Sequence, residues 1–342
     1  MPGPYNGIRT QKGGRITERT GILPLFGGLA LFLFGMDRMS EALQQAAGER
    51  LRRALAALTR TPLTGALAGM VVTAVMQSSS ATTVMVIGFV SAGLLELPQA
   101  VAVIFGANIG TTVTAQLLAF RVEEMLGLVL FGGFFLCAVA RTERGRQMGT
   151  AVFSFGLLFA GMEQIQSVVE PLALRPEFEA WMAQVREKPL WGLLLGLGMT
   201  LVVQSSSATI GVLQGVARQA GPDGVHSLLG LAGAVPVLLG DNVGTTITVI
   251  LAAAGGTRDA KRAAAAHCCF NLSGSLVCLL ALPWFVRLVE LLPPEGEELE
   301  IIARQIANAH TLFNALCTLI WLPLTPLMVR LVTTLVPEKR TE

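Results

Sequence analysis

Two identical hexapeptides, Gln77-Ser78-Ser79-Ser80-Ala81-Thr82 and Gln204-Ser205-Ser206-Ser207-Ala208-Thr209, lie inside apolar stretches of this chain. No other feature restricts its folding so strongly. Amide and hydroxyl groups carried into an apolar medium without partners are costly, so these runs must meet each other, the backbone or a polar ligand. The apolar pieces around the first run, residues 62–76 and 81–95, are each too short to cross a bilayer, which takes about 20 helical residues. Two half-length helices joined by a polar tip predict a re-entrant hairpin, which survives at membrane depth only when buried in protein or lining a cavity.

Composition places the whole chain in a membrane. Hydrophobic residues make up 52% and charged residues only 14%, where a soluble domain carries about a quarter. The 37 glycines suit closely packed transmembrane helices. No basic stripe interleaved with aromatics is present, so nucleic acid is not an expected partner. Cysteines 137, 268, 269, 278 and 317 sit in apolar runs without metal-ligand spacing and read as small hydrophobes. No signal peptide is expected, because residues 1–20 are polar and basic. The predicted class is an all-α polytopic membrane protein.

Residues 1–20 read as a disordered tail. Residues 21–36 form a first apolar run and 39–60, with Arg50, Arg52 and Arg53, an amphipathic interfacial helix. After the first hairpin, the segment from Pro98 is interrupted by Gly106-Ala107-Asn108-Ile109-Gly110-Thr111-Thr112, which predicts a broken helix. Spans at 125–140 and 148–162 enclose a basic loop at 141–146, and 163–188 is amphipathic and acid-rich. From Pro189 the pattern restarts, with Gly240-Asp241-Asn242-Val243-Gly244-Thr245-Thr246 as the second broken helix. Two plain spans, 263–286 and 306–330, close the chain around an acidic loop at 290–300.

This is an internal repeat. Pro62, Gly65, Gly69, Thr73 and Gln77 match Pro189, Gly192, Gly196, Thr200 and Gln204 at one constant offset. The glycine–asparagine signatures match at a larger offset, which puts seven extra residues near Gly221-Pro222-Asp223-Gly224. Residues 65, 69, 73 and 77 step by four, so they share one helix face and form a seam ending at the polar tip. The division is a tail (1–20), repeat 1 (21–146), repeat 2 (147–286) and an end segment of acidic loop, last helix and C-terminal tail (287–342). With the basic loops 141–146 and 258–262 placed inside, the C-terminus is cytoplasmic and the two repeats have inverted topology. The basic N-terminal tail is the one element at odds with that orientation.

Each of the four interruptions is followed by a new half-helix, whose free N–H groups and positive dipole end attract anions. Their carbonyls, amide oxygens and hydroxyls are ligands for a small cation. Neither signature contains Lys or Arg, so a bound anion would depend on co-bound cations, the logic of a cation-coupled anion symporter.

The paired Gln-Ser-Ser-Ser signatures and the two glycine–asparagine runs resemble those of the type II sodium–phosphate cotransporter family. So do His267-Cys268-Cys269-Phe270-Asn271 and the run from Ile306 to Asn314. The resemblance spans roughly residues 21–330. It implies inverted repeats and sodium-driven movement of inorganic phosphate across the cell inner membrane by alternating access, not enzymatic turnover. By motif, it implies phosphate contacts at Gln77, Ser78, Ser79, Ser80, Gln204, Ser205, Ser206, Ser207, Asn108 and Asn242. Sodium contacts fall on Gln77, Ser79, Thr82, Thr111, Thr112, Gln204, Ser206, Thr209, Thr245 and Thr246. Asp241, Asn271 and Asn314 would stand behind them. No organic cofactor is implied; the partners are phosphate, sodium and the bilayer, with a homodimer left open. The cytosolic helical regulatory domain of many bacterial relatives is not expected in this chain. Asp241 stands where those relatives have Glu and where repeat 1 has Ala107, which leaves its role open.

The shared faces His267/Phe270/Asn271 and His310/Phe313/Asn314 read as interhelical hydrogen-bond partners. Sodium-coupled carboxylate or amino-acid transport and sodium-linked phosphate export remain as alternatives. A carboxylate site favours an arginine in a late helix, whereas Arg304 and Arg330 lie near the ends of theirs.

Overall fold

The computed structural model describes residues 23–47, 59, 61–120, 122, 125–173 and 175–338. The expected tail at 1–20 and most of the interfacial helix at 39–60 lie outside them. Among the described residues there are helices and no strand. In chain order they are α1 (Leu23–Ala47), α2 (Pro62–Met76), α3 (Ser79–Ser91), α4 (Leu97–Leu118), α5 (Leu126–Val139), α6 (Glu143–Ala173), α7 (Pro176–Glu187) and α8 (Pro189–Val203). They continue with α9 (Ser206–Ala217), α10 (Gly230–Gly244), α11 (Thr246–Ala253), α12 (Arg258–Leu280), α13 (Leu282–Glu290), α14 (Glu298–Trp321) and α15 (Thr325–Leu335). By length and composition α4, α6, the continuous stretch Gly230–Ala253 and α12 can each cross a membrane, and α14 with α15 makes a fifth if that bent pair counts as one span. The chain is an all-α, polytopic membrane protein.

Each hairpin's first arm packs on the long helix of its own half, α2 on α4 and α8 on α10. The seam expected from the four-residue step carries this contact. A β-carbon at Gly69 would overlap the Val103 carbonyl oxygen, and one at Gly106 the Ala66 carbonyl oxygen. Gly196 and Gly240 repeat the arrangement against Val237 and Leu193. Without water to drive helices together in lipid, such close backbone approach is the main source of packing energy. The second arms pack on those long helices too and also reach the opposite half. Ile87 of α3 packs with Val249, Ala253, Ala260 and Ala264 of α11 and α12. On the other side Ile210 of α9 packs with Ala115 and Ala119 at the end of α4 and with Ala303 and Ala307 of α14.

Several expected boundaries are corrected. The segment 106–112 is not a break, because α4 runs through it. Its glycines serve packing, and its polar side chains bond back onto the helix: Asn108 Nδ2 donates to Ile104 O at 2.8 Å and Thr112 Oγ1 to Ile109 O at 2.8 Å. The second signature is interrupted only at Thr245, which keeps helical dihedrals (φ −61°, ψ −21°). The run 21–36 continues into the amphipathic stretch as α1, whose Ser40 hydroxyl donates to Met76 O at 2.6 Å. The span at 148–162 is the centre of the 31-residue α6, which extends into the acid-rich stretch that α7 completes. The last two plain spans each divide at a proline: α13 begins beside Pro283, and the α14–α15 pair bends by 87° around Pro323. The seven extra residues lie where the offsets place them, since residues 218–229 join α9 to α10 whereas only 92–96 join α3 to α4.

Candidate functional site

Each polar tip is a helix–turn–helix built the same way. Gln77 and Gln204 close the first arms in left-handed conformation, φ 53° and 55°. Ser78 and Ser205 then cap the second arms, accepting from Ala81 N at 3.2 Å and Ala208 N at 3.3 Å. Across each hairpin a threonine pair ties the arms: Thr73 Oγ1 to Thr82 Oγ1 at 2.9 Å, and Thr200 Oγ1 to Thr209 Oγ1 at 3.0 Å. The first N–H groups of α3 and α9, on Ser79–Ser80 and Ser206–Ser207, have no intrahelical acceptor and form the positive ends of those helices. Because α4 is unbroken and Thr245 N still donates to Asp241 O at 3.0 Å, the expected four positive ends are two.

Behind the tips, α12 and α14 present matching side chains. The Nε2–H of His267 donates to Asn108 Oδ1 at 3.3 Å, and that of His310 to Asn242 Oδ1 at 3.3 Å. Asn271 and Asn314 each donate to the carbonyl of their own histidine at 3.0 Å. These six side chains are buried. Their remaining atoms, His267 Nδ1, His310 Nδ1, Asn271 Oδ1 and Asn314 Oδ1, have no partner, and neither does Asp241 Oδ2. With the Nε2 hydrogens committed, each of these five atoms offers a lone pair, so each awaits a cation or a hydrogen-bond donor. Among the described residues no cluster of His, Cys, Asp or Glu could hold a metal ion by itself.

The expected site residues do not all meet. Gln77 is buried and its Oε1 accepts from Thr114 Oγ1 at 3.0 Å, while Gln204 is exposed. Ser79, Thr82, Thr111, Thr112, Thr209 and Thr246 are buried, whereas Ser78, Ser80, Ser205, Ser206, Ser207 and Thr245 are half-buried. Thr245 and Thr246 spend their hydroxyl protons on Asn242 O and Val243 O, both at 2.7 Å. No hydrogen bond joins one tip to the other among the described residues. Ser80 instead faces Thr248 Oγ1 of α11 at 3.3 Å.

Sequence reasoning passed over Thr114 and Thr248, although the same offset pairs them. It also passed over Gln214, whose Nε2 donates to both Ala115 O and Ala303 O at 3.1 Å. Gln214 occupies the place of Ile87, and the signal was there: an amide opposite an isoleucine in an otherwise matched repeat. Arg304, set aside as terminal, lies half-buried on Gln116, with Nη1 donating to Gln116 Oε1 at 2.7 Å and the guanidinium 4.4 Å from the centre of the Phe120 ring.

The sequence profile of the Na+/Pi-cotransporter family matches residues 31–167 and 169–314, each stretch holding one hairpin and one glycine–asparagine signature. The uncharacterised protein YqeW of Bacillus subtilis is 34% identical over 275 residues, 80% of this chain and 87% of that one. YjbB of Escherichia coli, whose name provisionally assigns it inorganic phosphate export, is 27% identical over 258 residues, 75% of this chain and 46% of that protein. Sodium-dependent phosphate transport protein 2A of Rattus norvegicus is 38% identical over 97 residues, 28% of this chain and 15% of its own length. No solved structure matches. With both halves matched and both sets of signatures in place, the chain belongs to the Na+/Pi-cotransporter family, a family of transporters and not of enzymes.

Proposed function

We propose that this protein is a sodium-coupled symporter that moves inorganic phosphate across the cytoplasmic membrane by alternating access between two inverted repeats. The observation that carries the reading is a duplicated pair of positive helix ends in a chain that also buries five acceptor atoms without partners, with no Lys or Arg in either tip or glycine–asparagine run. Phosphate oxygens suit the N–H groups and hydroxyls of Ser78–Ser80 and Ser205–Ser207, with Gln77, Gln204, Asn108 and Asn242 around them. Sodium suits the oxygens of Gln77, Ser79, Thr82, Thr111 and Thr112, and of Gln204, Ser206, Thr209, Thr245 and Thr246 in the second half. Each helix end supplies about half a charge, less than phosphate carries, so co-bound sodium completes the balance.

The test is labelled phosphate flux in proteoliposomes with a sodium gradient imposed in either direction. Uptake that follows inward sodium supports symport. Flux unaffected by sodium sinks the coupling, and sodium-driven efflux from oriented vesicles favours the export reading that YjbB's name raises. Competition by a dicarboxylate or an amino acid, with phosphate itself not carried, would replace the substrate.

A further inference from the structure

Asp241 breaks the match between the halves. It is 1% exposed, on α10, at the position of Ala107 in α4. Its Oδ1 accepts from Thr200 Oγ1 at 2.6 Å, and its Oδ2 has no partner. Among the described residues no charged side chain pairs with it; burial and the Thr200 hydroxyl are what act on it. A buried carboxylate without a counter-charge is among the most costly arrangements in a protein.

The two hydroxyls beside it have one hydrogen each. The Thr200 hydroxyl, with one hydrogen, lies 2.6 Å from Asp241 Oδ1, 2.9 Å from Gly196 O and 3.0 Å from Thr209 Oγ1. The Thr209 hydroxyl has only Ser205 O beside it otherwise, at 3.3 Å. The Ser205 carbonyl also accepts from Thr209 N at 3.1 Å, and the Gly196 carbonyl lies inside α8, so the carboxylate alone depends on a shared hydroxyl hydrogen, and only at Oδ1. In the first repeat Thr73 and Thr82 form the same hydroxyl pair, Thr82 donates to Ser78 O at 3.1 Å, and Ala107 adds neither charge nor acceptor.

We infer that Asp241, with the Thr200 and Thr209 hydroxyls, forms a monovalent-cation site that belongs to the second repeat alone. The occupant is sodium, a hard ion suited to an all-oxygen set and the cargo of the proposed function, on which this assignment rests. The site hangs on the second tip, because Thr200 and Thr209 flank Gln204 and Ser205 on the two hairpin arms. Cation binding there braces the hairpin before phosphate arrives.

The experiment is thermal unfolding of detergent-purified protein without phosphate, titrating sodium chloride against N-methylglucamine chloride at constant ionic strength. In the wild type sodium should raise Tm saturably. Asp241→Asn, nearly isosteric, should raise the half-saturating sodium concentration at least tenfold, and Thr200→Val should raise it less. An unchanged half-saturation in Asp241→Asn overturns the assignment. So does a wild type that ignores sodium and responds only to pH, since a proton then neutralises the carboxylate. Should Asp241→Asn not reach the membrane, Thr200→Val decides, and an unchanged half-saturation there also overturns it. Phosphate flux measured on the same preparations separates the two ideas. Sodium stabilisation lost in the variant, with no phosphate carried by the wild type, leaves the cation site standing and the transport reading fallen.

Discussion

The two tip glutamines share a backbone conformation and differ in surroundings. Gln77 is held by Thr114, and its Nε2 donates to Ala74 O. Gln77→Ala strands the buried Thr114 hydroxyl, a loss of about 1–3 kcal/mol. It should lower Tm as well as abolish transport. Gln204→Ala, at an exposed tip, should abolish transport and leave Tm within about 1 °C, on the rule that exposed substitutions move stability by under about 0.5 kcal/mol. Thermal unfolding beside flux measurements checks both, and equal Tm losses would mean Gln204 is anchored as Gln77 is. The His267 and His310 trios were legible as shared helix faces. What sequence could not supply was their partners, since the asparagine that each histidine meets lies on a helix remote in the chain.

Among the elements, the seams deserve the sharpest test. Gly69→Leu and Gly196→Leu place a side chain against carbonyl oxygens of α4 and α10, and both should lose most folded protein. Gly65→Leu should be milder, because a β-carbon there first meets the Ala102 methyl at 3.3 Å. Size-exclusion profiles of the three variants would rank them, and intact Gly69→Leu would refute the seam. The 218–229 connection makes a separate prediction. His226 Nδ1 lies 2.6 Å from Asp223 Oδ2, which raises the imidazole pKa through that hydrogen bond and the carboxylate's charge. The pairing therefore favours folding fully below the ordinary imidazole value and is lost as pH rises through the raised one. In Asp223→Asn the His226 ring resonances should titrate at lower pH, near the ordinary value of about 6.5.

Element types were legible because apolar length and Gln-Ser-Ser-Ser tips are local signals. The glycine–asparagine runs misled: glycine and asparagine usually end helices, yet here Gly106 and Gly110 make room for α2 while Asn108 bonds to its own turn. Only the partner helix distinguishes those two uses.

For the molecule as a whole, the unequal burial of the tips predicts unequal access. In a cysteine-free background, Gln204→Cys should react readily with a water-soluble maleimide and Gln77→Cys slowly. Equal rates would contradict the asymmetry. Charge balance leads to the other global prediction. If sodium completes the phosphate site, phosphate must raise sodium affinity by the same factor by which sodium raises phosphate affinity. Calorimetric titration of phosphate in sodium chloride and in potassium chloride, at equal ionic strength, should show binding in the first and little in the second. Equal affinities would place the compensating charge on the protein, with Arg304 the first residue to examine.

The left-handed turn at each tip has an evolutionary consequence. A side chain in that conformation costs roughly 1 kcal/mol or more relative to glycine, and glycine is abundant elsewhere in the chain. Gln77 offsets that cost through Thr114, but selection for robustness alone would have removed the exposed Gln204. Gln204→Gly should therefore fold at least as well as the wild type and carry no phosphate. The second turn would then mark where this protein trades durability for activity.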